Sequence, residues 1–201
     1  MANFGRRIAL EASSTQSLER CRCALANSER MSNLIFKKAT DSDSQVIWEI
    51  LQDAIAQRKS EGSDQWQNGY PNPESVAEDI AAQCGYLIIE DDVPVAYAAI
   101  VFEDEPAYAE IDGAWLTFGK YAVVHRVARS AKARTRGISY KVFELAEELC
   151  ATNGVGSIRV DTNFDNLPML KVLEKLGYTY CGEIFFQGAP RRAYEKIVGD
   201  S

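Results

Sequence analysis

The chain has 201 residues, 46% of them hydrophobic and 25% charged, which suits one globular domain and argues against a wholly disordered protein. Lys and Arg number 22 against 29 Asp and Glu, a formal charge of −7, which argues against a general binder of nucleic acid or anionic membrane. No apolar run approaches the roughly 18 residues of a membrane span, and five scattered cysteines with one histidine make no metal-ligand set. The thiols read as reduced, the protein as cytoplasmic, and a metal is not expected.

Residues 1–30 hold five Arg and three Glu, so the rest of the chain carries −9. Glu11, Glu19 and Glu29 weaken a transit-peptide reading, and there is no signal-peptide core. This segment reads as a poorly ordered N-terminal extension, with one compact domain over 31–201. Leu34–Ala39 reads as a first strand. Ser42 and Gln45 have capping-box spacing, and apolar residues at 46, 47, 50, 51, 54 and 55 line one face of a helix ending before Gly62. A loop around Trp66–Tyr70 precedes a short helix opened by Pro73, with Val76 and Ile80 inward. Tyr86–Glu90 and Val93–Phe102 form a hairpin about Asp91-Asp92.

An acidic, aromatic loop over 103–120 leads to a strand over Tyr121–Ala128. Residues 137–152 read as a helix with Ile138, Val142, Leu145, Ala146 and Leu149 on one face, ended by Gly154. A strand over Ser157–Thr162 follows. Asp165-Asn166 then caps a helix with Met169, Leu170, Leu173 and Leu176 inward, and Tyr178–Phe186 with Arg191–Val198 closes the chain as a hairpin. The order βααβββ-αβ-αββ predicts an α/β (α+β) fold, a mixed and mostly antiparallel sheet flanked by helices.

The chemistry concentrates at 113–143, which holds seven basic residues and no acid, five of them between Arg126 and Arg136. This turn runs into Gly137 at a helix start, where unpaired N–H groups and the helix dipole favour a phosphate. A solvated basic loop is the plainer reading. Neither GxxxxGK[ST] nor GxGxxG is present.

Arg134-Thr-Arg-Gly-Ile-Ser139 instead resembles the [QR]xxGx[GA] loop of the GNAT-type N-acetyltransferases. Asp165-Asn166-Leu-Pro-Met169 with Leu-Gly-Tyr178 resembles that family's NxxAxxxYxxxGF segment. The likeness spans about 34 to 198 and implies acetyl-CoA as co-substrate in an acyl-CoA N-acyltransferase-like fold. It further implies that Val127 and Ala128 pair with the pantetheine arm, and that the N–H groups of Arg134, Thr135, Arg136, Gly137, Ile138 and Ser139 hold the pyrophosphate. Asn166 would lie beside the pantetheine end. Ser139 departs from the family's Gly or Ala, and Leu173 stands where a proton-donating tyrosine is common.

His125 is read either as a base for an amine or as a sheet histidine, and strand alternation puts it with Val123 and Val127 on one face. Tyr140 and Tyr178 are read as acids or as core. Trp66, Tyr70 and Trp115 are candidates for contact with the acceptor, a small-molecule or peptide amine. The reading is acetyl transfer to a primary amine in a ternary complex, with no nucleic acid and no membrane, and a homodimer is left open. A non-catalytic acyl-CoA-binding module and an unrelated phosphate-binding protein are the alternatives. Since residues 1–30 lack apolar periodicity, a chain beginning at Met31 should keep its melting temperature; a loss of several degrees in calorimetry would show that the segment docks.

Overall fold

The computed structural model describes residues 33–199, and the expected extension over 1–30 lies outside them. Strand β1 (Leu34–Lys38) leads into a 3-10 turn at Asp41–Asp43 and helix α1 (Ser44–Ser60). The chain tightens into that turn before the helix, so the reciprocal cap falls earlier than the expected Ser42/Gln45 pair. Here the N–H and hydroxyl of Thr40 both donate to Asp43 Oδ2, at 2.9 and 2.7 Å. Helix α1 buries Ile47, Ile50, Leu51 and Ala54, the face its spacing predicts. Helix α2 (Pro73–Ala81) is capped by Asn72, whose side chain accepts the Ser75 N–H at 2.9 Å, and it turns Val76 and Ile80 inward.

The sheet adds β2 (Gly85–Glu90), β3 (Val93–Val101), β4 (Asp112–Gly113) and β5 (Tyr121–Arg129). After helix α3 (Ile138–Asn153) come β6 (Ser157–Thr162), helix α4 (Leu167–Lys175), β7 (Thr179–Phe186) and β8 (Ala189–Ile197). Strand order is β1-β2-β3-β5-β6-β8-β7-β4, and every pair is antiparallel except β5 with β6. Leu87 and Tyr97 pack with α1 and α2 on one face. Ala96, Ala98, Ile100 and Val124 pack with α3 and α4 on the other. In α4 the fully buried residues are Val172 and Leu173, while Leu170 is only half-buried.

Strand β4 was not expected within the 103–120 loop, because two residues carry no periodicity. A Cβ on Gly113 would meet the Cys181 carbonyl oxygen at 2.2 Å, and one on Gly182 would meet that of Asp112 at the same distance. The two backbones approach this closely only because both residues are glycine. The loop beyond β4 is tied down by a buried ion pair. Glu195 accepts from Arg159 Nε at 3.2 Å, the Leu116 N–H at 2.6 Å and the Thr117 hydroxyl at 2.6 Å. The Arg159 guanidinium lies between the rings of Trp115 and Tyr121, 4.3 and 3.8 Å from their centroids.

Burial alone would raise the Glu195 carboxyl, but bonds from Thr117 and Ser157 and the Arg159 charge outweigh it and hold the carboxyl below its usual range. Glu195→Ala leaves that guanidinium buried without its partner, so stability should fall by about 3–5 kcal/mol, read by urea unfolding. A carboxyl depressed by folding stabilises the protein above its unfolded pKa and less as pH falls through the folded one. The parent should therefore lose more stability on acidification than Glu195→Ala does.

Candidate active site

Strands β5 and β6 pair only over Tyr121–Val123 with Ser157–Arg159 and then part. The parting coincides with a bulge in β5. His125 pairs with Ala99 and Ala128 with Tyr97, so β5 has one residue more than β3, and Arg126 takes φ +53°. The expected alternation therefore breaks at Arg126. Val127 packs with Val124 toward α3, opposite His125, while Ala128 joins the α1–α2 face. Arg126 is held there by Asp79, which accepts from Nε at 2.7 Å and also from Nη2. Nη1 donates to the Tyr70 hydroxyl, and Tyr97 donates its own to Asp79 at 2.6 Å.

The cleft between the parted strands has a volume of about 230 Å³, below the roughly 300–1,000 Å³ of a site enclosing a whole small molecule. It is sized for reacting ends. Of the expected residues, His125, Val127, Ala128, Ser139, Asn166, Trp66 and Tyr70 all line it. Trp115 does not: its indole stacks on Arg159 and donates to the Tyr108 carbonyl at 2.9 Å, so it braces the 114–118 loop. Asn166 accepts the Met169 N–H at 3.2 Å and donates to Gln65 Oε1 at 2.9 Å, so its amide caps α4 and ties it to the loop before Trp66.

His125 Nε2 lies 3.2 Å from Glu105 Oε2, and its Nδ1 lies 4.0 Å from Asp161 Oδ1. With the ring proton on Nε2, Glu105 orients the imidazole and leaves Nδ1 as an acceptor, with room for a bridging N–H before Asp161. That bond from His125 lowers the Glu105 carboxyl, with burial opposing and the Ala107 N–H assisting. Asp161 also accepts from the Tyr108 hydroxyl at 2.8 Å and from Arg191 Nη1 at 3.2 Å. Phe186 stacks on His125 with ring centroids 5.7 Å apart. Sequence reasoning missed Asp161 and Arg191. Their only signal was a charged residue in each of two expected strands.

Ser139, in the first turn of α3, also lines the cleft, and Gly137 stands before that helix with φ +76°, a conformation natural to glycine. Its N–H and those of Ile138 and Ser139 open the helix and have no carbonyl a turn earlier. The expected anion donors need a correction. The N–H groups of Arg134 and Thr135 donate to Glu90, at 2.8 and 2.9 Å, as does the Thr135 hydroxyl. Arg134 Nη2 pairs with Asp91 at 2.7 Å. Glu90 is 1% exposed, so this turn is braced from below by a buried carboxylate that already takes the N–H groups of Arg134 and Thr135.

Leu173 and Tyr178 are both buried in the core, and burial pushes the Tyr178 hydroxyl up, with Glu147 adding. Tyr140 lies beneath the Lys175 ammonium, 5.1 Å from its ring centroid. Cys84, Cys150 and Cys181 are buried free thiols. Burial pushes Cys84 up to about 12, with Asp79 adding, and Cys150 up to about 11. Among the described residues no helix is long and apolar enough to cross a membrane.

The Glu90 brace has a direct readout. Glu90→Gln removes one acceptor and the charge, so amide exchange at Arg134 and Thr135 should quicken about tenfold or more in hydrogen–deuterium exchange, while β5 is unchanged. Equal exchange in the two proteins would show that the turn holds itself.

A family model described as acetyltransferase (GNAT) family matches residues 47–178. A GNAT-family acetyltransferase from Streptococcus agalactiae is 33% identical, covering 83% of this chain and 96% of its own, with a TM-score of 0.75. One from Listeria monocytogenes is 19% identical, covering 82% and 94%, with a TM-score of 0.67. A Salmonella typhimurium protein whose structure holds its cofactor acetyl-CoA is 12% identical, covering 84% and 95%, with a TM-score of 0.59. No curated protein matches the chain. With more than half its length matched by the family model and 33% identity to a structural relative over 83% of the chain, the chain belongs to the GNAT family of acetyltransferases.

Proposed function

We propose that this domain transfers the acetyl group of acetyl-CoA to a primary amine by direct attack in a ternary complex. The observation that carries the reading is one cleft lined both by Ser139, in the first turn of α3, and by the oriented imidazole of His125. The coenzyme fits the residues present: the N–H groups from Arg136 to Ser139 would take its pyrophosphate, and Val127 and Ala128 its pantetheine arm. A Cβ on Gly137 would meet the Tyr140 ring at 3.2 Å, so that turn has little room for a side chain.

The amine nitrogen gives its proton to His125 Nδ1, directly or through water, and bonds to the thioester carbonyl carbon. An N–H at the bulge near Val127 stabilises the oxygen as charge develops. The carbon–sulfur bond then breaks, and the thiolate takes a proton from water, since Leu173 offers none. A non-catalytic acyl-CoA-binding module is the second reading, and the buried Leu173 favours it. The buried free thiols support a cytoplasmic setting.

Thiol release with a panel of amines separates the two readings. His125→Ala should lower kcat about 10²-fold, with partial recovery at high pH, while coenzyme A affinity by calorimetry stays within about twofold. Tight coenzyme binding without thiol release from any amine would establish the module instead.

A further inference from the structure

The acceptor half of the cleft is richer in guanidinium than capture of an amine requires. Arg58, Arg126 and Arg191 line it, against the carboxylates of Glu61 and Asp161. Arg126 is engaged by Asp79 and Tyr70, and Arg58 by Glu61 and Asp165. Arg191 differs. It is 8% exposed, its Nη1 donates to Asp161, its guanidinium lies 4.9 Å from the Phe186 centroid, and its Nε has no hydrogen-bond partner. The Thr162 hydroxyl and Arg58 Nε, also on residues lining the cleft, lack partners too. A buried donor without an acceptor is destabilising, so a partner arriving with the substrate is the economical explanation. An ammonium cannot be that partner, because it only donates. A carboxylate can, and the side-on edge of a guanidinium matches it with two parallel bonds.

Asp161 lies between them. One of its oxygens is 4.0 Å from His125 Nδ1 and the other accepts from Arg191 Nη1 at 3.2 Å, so the imidazole and the guanidinium flank a single carboxylate. A substrate reaching both has its amine and its anion close together. We propose that the acceptor is an amino acid, its amine delivered to His125 and its carboxylate bound by the Nε edge of Arg191. This rests on the acetyl-transfer reading above and narrows it. Simple alkylamines and polyamines lack the acceptor that Arg191 requires.

The test is a matched series of free L-amino acids and their amides, followed by thiol release from acetyl-CoA with the full chain. The best amino acid should exceed its own amide in kcat/KM by at least about tenfold, the size of one charge-assisted hydrogen bond. Arg191→Met should erase that preference, the loss appearing mainly in KM, and Arg191→Lys should restore only part of it because it lacks the fork. Should Arg191→Met fail to fold, calorimetric titration of acid and amide into the parent with coenzyme A decides the question alone. An amide bound or acetylated as well as its acid overturns the proposal, as does coenzyme binding with no turnover of any amino acid. Failure of the parent to bind coenzyme A would instead remove the acetyl-transfer reading itself.

Discussion

The carboxylate of Asp79 holds this molecule open. A non-glycine residue at positive φ costs roughly 1–3 kcal/mol, and an arginine has no local reason to adopt it. The buried pairing of Asp79 with Arg126, joined by the Tyr70 hydroxyl, holds the residue there. With Arg126 pinned to α2, β5 bulges and its hydrogen bonds to β6 end at Val123. The same pair draws Tyr70 against the cleft, through the bond its hydroxyl accepts from Arg126. One ion pair thus sets the opening between the strands and one wall of the space it creates.

The two ends of the cleft solve opposite electrostatic problems. At the helix start, partial positive charge comes from the backbone, and the buried Glu90 beneath it weakens that field. Such a placement makes sense as geometry: two backbone donors tied to Glu90 fix the turn that enters the helix. At the other end, Glu105 holds the imidazole of His125 and Asp161 pairs with Arg191. Each carboxylate there has a nitrogen partner, so the site is polar and its side chains are held in place for one small ligand.

Much of this fold is legible in the sequence, because long elements repeat their apolar spacing. The α1 face, the α3 face and Gly154 at the end of α3 fall where periodicity and turn chemistry put them. The turn before Gly137 was legible from charge and glycine together. The rest was not, for physical reasons. A bulge is an interruption of alternation, and nothing around Arg126 distinguishes it from an ordinary strand residue until Asp79, 47 residues away, is brought beside it. Arg191 and Asp161 become a pair only through the β6–β8 register. Trp115 reads as an exposed aromatic in an acidic loop, yet the arginine that claims it lies in β6. Glu90 reads as the end of a hairpin strand, and its partners lie 44 and 45 residues away.

The buried thiols bear on how such a protein is handled. Thiolate, not thiol, reacts with disulfide and maleimide reagents, and at pH 8 burial leaves Cys84 and Cys150 almost wholly protonated within the core. Alkylation of these two sites therefore reports opening of the sheet's surroundings rather than surface chemistry. Cys84 lies beneath Asp79 and Cys150 at the far end of α3, so they are separate internal clocks for the two faces. A label appearing at one before the other would show which layer of helices lifts first.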